Sequence, residues 1–582
     1  MTAPNAENSL PPGGGSSGGG SSAGHRRTKF LPFLIVLLIG LAYANSFNGA
    51  FVLDGRQEIL KNPNVRSMRG WSGPAWLMSR SLTDFTFAVN FATCGENPAD
   101  YHATNLLIHI ASALLLYGLV RRTLVLPGLA GRFSGHASYI AFFVAAAWSV
   151  HPLATSSVTY IWQRSESLMG MLMLSTLYLA VRAHSSSRRL LWYVPAVLSC
   201  TLGMAAKEVM ITAPIVVVAY DRLLLSKSFR EMLSRKWHFY LGLCMTWAFL
   251  GFLMSRKLSE SAGFASVYTS GASFSYLLTQ SKVLLHYLRL SFWPVPLCLD
   301  YGWPLTESVG DAWLAVMGVV ILGLSVLLCL RFAPAAGFLG FTFFTVLSPT
   351  SSFAPRPDNA FEHRMYIPLA AVVALVVCCV YSVIGRLVHT DRKKLQWYRV
   401  AAAFLTVILL MLSRITWSRN RDYVSEEVMW KDIVGKRPDN LRARNNLAAV
   451  LCERGETDEA LEHFRQVLMT TAHLNPEQFK EQNQVPYEML SSSPQNCRVS
   501  ALANFGFLAF QQGDTDKAIA CYAEALRLFP YSDVIASKLR YALLAKGVER
   551  DELDEKLRES ITSARFDETW VLPARPEQED SN

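Results

Sequence analysis

The chain has 582 residues, more than one domain of ordinary size. Hydrophobic residues make up 51% of it and charged ones only 17%, which marks a polytopic membrane protein. The net charge of +10 does not signal a nucleic-acid partner, because Lys and Arg sit in short loops between apolar runs and form no basic stripe interleaved with aromatics.

Residues 1–28 are rich in Gly, Ser and Pro and cannot bury a core, so a disordered tail is expected there. His25-Arg26-Arg27-Thr28-Lys29 then leads into residues 30–47, an apolar run of spanning length. Ala42-Tyr43-Ala44 offers a small-residue cleavage pattern, but no run of mature soluble sequence follows, which favours an uncleaved span. Further spans are expected at about 103–120, 137–155, 167–184, 190–206, 209–225, 238–255, 312–330, 335–350, 365–385 and 400–417. Arg121, Arg122 and Arg132, then Arg182, Arg188 and Arg189, then Arg222 through Lys236, Arg331, and Arg386 through Lys394 mark every second connection. The positive-inside rule makes those loops and the N-terminus cytoplasmic.

Residues 276–297 decide the parity. They are apolar but carry Lys282, His286 and Arg289 and end in Trp293-Pro294-Val295-Pro296. An interfacial or partly buried helix there keeps every basic loop inside, leaves about eleven crossings and puts the C-terminal region outside.

After Trp417 the composition turns soluble. Residues 443–468 and 500–530 each have the pattern of a helix–turn–helix unit. Leu502, Gly506, Ala518, Tyr522, Ala525 and Pro530, with Ala448, Ala460 and Phe464, fall where a tetratricopeptide unit places small, aromatic and closing residues. Trp430 and Pro438 supply part of an earlier unit, residues 471–497 are an insertion expected to loop out, and 532–563 form a capping pair. The expected architecture is therefore all-α: a polytopic membrane bundle over 29–417, a tetratricopeptide solenoid over 418–565, and an acidic tail over 566–582. Stacked helix pairs leave a concave surface suited to an extended peptide.

Five polar groups share the outer face on this topology. They are Asp54 with Glu58; Tyr101-His102 with Asn105; His151-Pro152 through Arg164 and Glu166; Lys207-Glu208; and Glu362-His363-Arg364. Mutual ion pairing that holds helix ends in register is one account of them. The other is a membrane-anchored phosphate, which would explain the gathering of Arg164, Lys207, His363 if protonated, and Arg364 where water is scarce. Ten Cys are scattered without CxxC pairs or metal-like His spacing, so neither a disulfide framework nor a zinc site is indicated. A disulfide among Cys94, Cys452, Cys497 and Cys521, which fall outside the spans, is left open.

The segments FVLDGRQEILKNPNVR, YHATNLLIHIASALLLY, HPLATSSVTYIWQRSESL, AAKEVMITAPIVVVAYD and EHRMYIPLA, followed by the repeats, resemble in order the transmembrane O-mannosyltransferases with tetratricopeptide repeats, including their bacterial relatives. That family resembles the multi-spanning C-type glycosyltransferases. The resemblance implies an inverting enzyme that moves a sugar, a hexose such as mannose, from a polyprenyl-phosphate donor to hydroxyl groups of extracytoplasmic protein held by the repeats. Its implied setting is a bacterial inner membrane or the endoplasmic reticulum, among membrane lipid. The lipid-linked sugar is a substrate, and no cofactor or metal is required.

By the same resemblance Asp54 is the general base, and Arg164, Lys207, His363 and Arg364 bind the donor phosphate. Glu58, His102, Glu166, Glu208 and Glu362 support them. The family's first outer loop usually carries paired acids, and here the second is Gly55. A non-catalytic membrane scaffold whose repeats bind partners is the alternative. A transporter fits less well, since the spans show no internal symmetry and no paired broken helices.

Overall fold

The computed structural model describes residues 28–260, 270–352, 355–356, 358–474, 493–567 and 570. Most of the tail at 1–28, most of the insertion at 471–497 and nearly all of the acidic tail lie outside them. Helices of eight residues or more are numbered here in chain order. The first thirteen are α1 (Leu31–Tyr43), α2 (Ser81–Cys94), α3 (Pro98–Leu124), α4 (Ala137–Ser149), α5 (Arg164–His184), α6 (Leu190–Ala206), α7 (Ala213–Tyr220), α8 (Phe229–Glu260), α9 (Ser270–Phe292), α10 (Trp313–Phe332), α11 (Pro334–Leu347), α12 (Tyr366–Leu387) and α13 (Asp391–Asn420). Described residues are helical or irregular, with no strand among them.

Local chemistry explains where these helices start and stop. In α3 the Asn97 side chain accepts from the Ala99 N–H, Pro98 takes the first turn, Asp100 lies at the N-terminal end, and Arg121 and Arg122 at the C-terminal end. Each of these choices satisfies an orphan backbone group or complements the helix dipole. A break at Lys236, where φ is −136°, divides α8. Lys236 Nζ reaches both Asp221 oxygens, at 2.6 and 2.8 Å, a buried pair that also engages the Tyr240 hydroxyl.

Among the described residues six helices are long and apolar enough to cross a membrane, and a pair bent by 55° at 127–158 makes a seventh if it is one span. Of these, α10 has a mean hydropathy of 2.7 and no buried residue. It packs on α9 and α11 along one side only, and hydrocarbon suits the exposed face. The other expected spans fall on α5, α6, α7 and α11, which are shorter or more polar. In α5 the cause is visible: Arg164, Ser165, Glu166 and Ser167 open it, all buried, so it is a core helix surrounded by protein.

Around α5 pack α3, α6, α7 and α12. A close crossing lies at Gly170, where an added Cβ would stand 2.6 Å from the Tyr366 ring. His109 bridges the Tyr366 hydroxyl and the Ser149 carbonyl, each at 2.9 Å, and Trp148 donates to the Tyr366 carbonyl at 2.7 Å. The segment at 276–297 forms most of α9, which buries Tyr276, Val283, Tyr287 and Leu290 at helical spacing. Tyr276 and Tyr287 donate to the carbonyls of Thr350 and Phe361, so α9 shapes the loop ahead of Glu362.

The repeats are built from α14 (Glu426–Lys436), α15 (Leu441–Glu453), α16 (Thr457–Thr470), α17 (Pro494–Gln511), α18 (Thr515–Leu528), α19 (Asp533–Ala545) and α20 (Leu553–Ser563). Each packs on its neighbour, and α16 packs on α17 across the insertion. Ala448, Ala460, Phe464, Leu502, Ala518, Tyr522 and Ala525 are all buried, as helix pairs that share a core through their neighbours require. All ten cysteines are free thiols.

Candidate functional site

Asp54 is carried by the loop that follows α1, and three interactions hold that loop. Ala50 N–H donates to the Tyr423 carbonyl at 3.1 Å. The His102 imidazole meets the Gly49 carbonyl at 3.2 Å, and a Cβ at Gly49 would lie 2.7 Å from that ring. Arg56 pairs with Glu426 of the repeats at 3.2 Å. Leu53, directly before Asp54, has φ of 50°, and Arg80 has φ of 60°; they are the two non-glycine residues with positive φ among those described. Such backbone costs about 1–3 kcal/mol and persists where surrounding structure imposes it, most often at functional sites.

The Asp54 side chain remains open to solvent, yet protein crowds around it enough to push its carboxyl above the usual range. Burial is the main cause, and Asp358 adds to it. The Tyr160 hydroxyl, which donates to Oδ2 at 3.1 Å, acts in the other direction, with help from Arg442 and Arg80. A carboxylate that water can reach but that desolvation penalises is suited to accepting a proton.

The expected cations divide into two sets. Arg164 is fully buried, its Nε donating to Asn105 Oδ1 at 2.6 Å, Nη1 to the Thr86 carbonyl at 3.1 Å and Nη2 to the Tyr101 carbonyl at 3.1 Å. It also lies over the Phe87 ring at 4.3 Å. Arg364 is likewise spent on the carbonyls of Thr350, Asn359 and Asp358, at 3.2, 3.2 and 2.6 Å. Arg164 pins α2 and α3 to α5, and Arg364 holds the loop before Glu362. His363 is buried, stacked on Phe361 at 4.9 Å, and its Nδ1 lacks a partner.

Lys207 is likewise buried. It pairs with Glu166 at 2.8 Å and donates to Gln163 at 3.2 Å. Glu208 pairs with Arg80 at 3.2 Å. Arg80 was not expected from the sequence, but it links the cluster, because its charge acts on Asp54, Lys207 and His363. Four residues further on, burial pushes the Asp84 carboxyl up to about 7, with Arg80 opposing and Glu58 adding. Arg80 and Asp84 sit at the start of α2, in the segment between α1 and α3 that also carries Asp54, and Tyr160 lies four residues before Arg164.

Glu362 is a brace. Its Oε1 accepts from the Cys298 N–H at 2.6 Å and the Tyr301 hydroxyl at 2.8 Å, while Arg419 stands 3.6 Å from Oε2. Arg419 also pairs with Asp422 and Asp432, at 2.6 and 3.2 Å. Asn420 donates to the Ala42 carbonyl at 3.0 Å and accepts from Thr159 at 2.7 Å. The repeats are thereby seated directly over the loops that surround Asp54. Among the described residues no three His, Cys, Asp or Glu side chains gather as a metal site.

Tetratricopeptide-repeat models match residues 440–474 and 499–532. The chain is 24% identical over 460 residues to protein O-mannosyl-transferase F38B6.6 of Caenorhabditis elegans, covering 74% of this chain and 61% of that protein. With protein O-mannosyl-transferase TMTC4 of Mus musculus the identity is 24% over 506 residues, 75% of this chain and 66% of the relative. With protein O-mannosyl-transferase TMTC1 of Homo sapiens it is 25% over 494 residues, 74% and 54%. The chain thus spans roughly three fifths of the length of these relatives.

Proposed function

We propose that this chain is a membrane glycosyltransferase that moves a hexose such as mannose from a polyprenyl-phosphate donor to Ser or Thr hydroxyls of an extracytoplasmic protein presented by the repeats. The relatives' names support a protein O-mannosyl-transferase. The observation that carries the reading is Asp54 itself, reachable, desolvated and poised behind a left-handed Leu53 below the repeats. In the reaction the Asp54 carboxylate takes the hydroxyl proton as the acceptor oxygen bonds to the anomeric carbon. The bond from that carbon to the phosphate oxygen breaks, and the lipid phosphate leaves with the electron pair. Arg80 and Lys207 offset its developing charge, each exchanging part of its present carboxylate contact for phosphate. Arg164, Arg364, His102 and Glu362 position the loops, and Glu58, Glu166 and Glu208 set the local charge.

A second reading, a non-catalytic scaffold, draws on one observation: Arg80 and Lys207 are already neutralised by Glu208 and Glu166. The two separate on Asp54→Asn. That change keeps shape but cannot accept a proton, and loss of a general base costs about 10²–10⁴-fold in rate. The variant should fold, bind lipid-linked donor and transfer almost no sugar to acceptor peptide. Undiminished transfer by the variant would remove Asp54 as the base, and wild-type protein that neither binds donor nor transfers sugar would favour the scaffold.

A further inference from the structure

A cavity of about 760 Å³ lies between α3, α5, α7, α11 and α12 and runs along α12 from Ile367 to Arg386. Its walls are almost wholly apolar, among them Leu119, Leu177, Phe338 and Ala374, and Arg132 and Arg386 stand at its mouth. The same two arginines line an adjoining polar recess of about 500 Å³ with His136, Lys394 and Tyr398. Asp391 is the one carboxylate in that recess, and it pairs with Lys394 at 3.2 Å.

Helix geometry fixes the depth. At a rise of 1.5 Å per residue, Arg386 is about 30 Å along α12 from Tyr366, which is close to the thickness of the hydrocarbon core. The Arg132 and Arg386 end of the cavity therefore lies at the bilayer face opposite the proposed sugar-transfer site, and its apolar lining runs along α12 as far as Ile367. An apolar chamber within the volume range of about 300–1,000 Å³ usual for ligand sites, opening onto two cations at headgroup depth, matches a molecule with acyl chains and an anionic head. We propose that this cavity binds an anionic glycerophospholipid, with its chains in the chamber and its phosphate between Arg132 and Arg386. The charge complementarity chooses the occupant, since an apolar helix of a partner would leave both guanidinium groups facing hydrocarbon.

The test uses the full-length protein in detergent and phosphatidylglycerol bearing a fluorescent tail. Saturable binding is expected, with phosphatidylcholine at least tenfold weaker and excess inorganic phosphate failing to displace the lipid. Each of Arg132→Gln and Arg386→Gln should weaken binding about fivefold, the share of one basic residue at a membrane surface. Ala374→Trp, which fills the chamber and leaves both arginines, should also abolish saturable binding in protein that still melts cooperatively. Equal binding of the two lipids, displacement by inorganic phosphate alone, or unchanged affinity in both arginine variants would overturn the proposal.

Discussion

Arg442 of the repeats places Nη2 2.6 Å from Asp358 Oδ1, while its Nε stands 2.7 Å from Asp300 Oδ2. One guanidinium therefore clamps the repeats to both loops that frame the site. Asp358 also acts electrostatically on Asp54, so the clamp joins the acceptor-binding surface of the proposed enzyme to its base. Burial alone would raise the Asp300 carboxyl, but Arg442 prevails and holds it below the usual range.

Breaking this clamp should be costly. Arg442→Gln leaves Asp300 buried without its counter-ion, a loss of about 3–5 kcal/mol for a pair of this kind. A depressed carboxyl stabilises the fold above its unfolded pKa and loses that effect as pH falls through its folded pKa. The gap in melting temperature between wild type and variant should thus be full at neutral pH and shrink in acid below the ordinary aspartate range. A gap that does not change with pH would mean the loss is one of packing.

Much of the scaffold is legible in local sequence, and the site far less so. Every expected span falls at least partly on a helix, because apolar runs and 3.6-residue periodicity are properties of neighbouring residues. Likewise Gly506 announces a close crossing: an added Cβ would stand 2.9 Å from Cys521 Cβ. The site is assembled from pairs such as Asp54 with Tyr160 and Arg80 with Glu208, 106 and 128 residues apart. Arg164 and Arg364 find most of their acceptors among backbone carbonyls, which every residue has and no sequence pattern marks.

Asp84 gives a pH dependence of the opposite sign. Its carboxyl is raised to about 7, so between the ordinary aspartate pKa and that value the folded state holds a proton the unfolded state has lost. Wild-type stability should fall as pH rises through this window and level off above it. Asp84→Asn removes the titration. Its melting temperature relative to wild type should climb from pH 4 to pH 7, and a flat difference would show that Asp84 ionises normally.

In the repeats, Tyr522 is buried against Gly506. Truncating a buried aromatic costs about 3–5 kcal/mol, so Tyr522→Ala in the full chain should unfold the repeats at lower temperature. Protease digestion should then release a fragment after α13. Unchanged melting and digestion would contradict stacked helix pairs.

The proposed topology places residues 350–364 and the repeats on the Asp54 side, and the α5–α6 connection on the other. Cysteines introduced at Ser352, at the exposed Tyr531 and at Ser187, with the native accessible thiols removed, should separate under an impermeant maleimide. Labelling in sealed, oriented vesicles is expected at 352 and 531 and not at 187. Labelling of 352 without 531, or the reverse, would show that α12 or α13 has the wrong parity, and labelling of neither would place the error before α12.

The final prediction concerns the base. Because burial raises the Asp54 carboxyl, the acid limb of kcat/KM for sugar transfer should lie above the ordinary aspartate pKa. The Tyr160 hydroxyl donates to Asp54 Oδ2 at 3.1 Å and favours the ionised form. Tyr160→Phe removes that bond and changes little else in shape, so the folded pKa should rise further. The acid limb should therefore move to higher pH, while the rate on the alkaline plateau falls by less than the 10²-fold or more expected for loss of the base itself. A profile that keeps its limb but drops uniformly would mean that Tyr160 only supports the fold. A limb that persists in Asp54→Asn would assign it to another group, with Asp358, whose charge acts on Asp54, and Glu58 the acids to examine next.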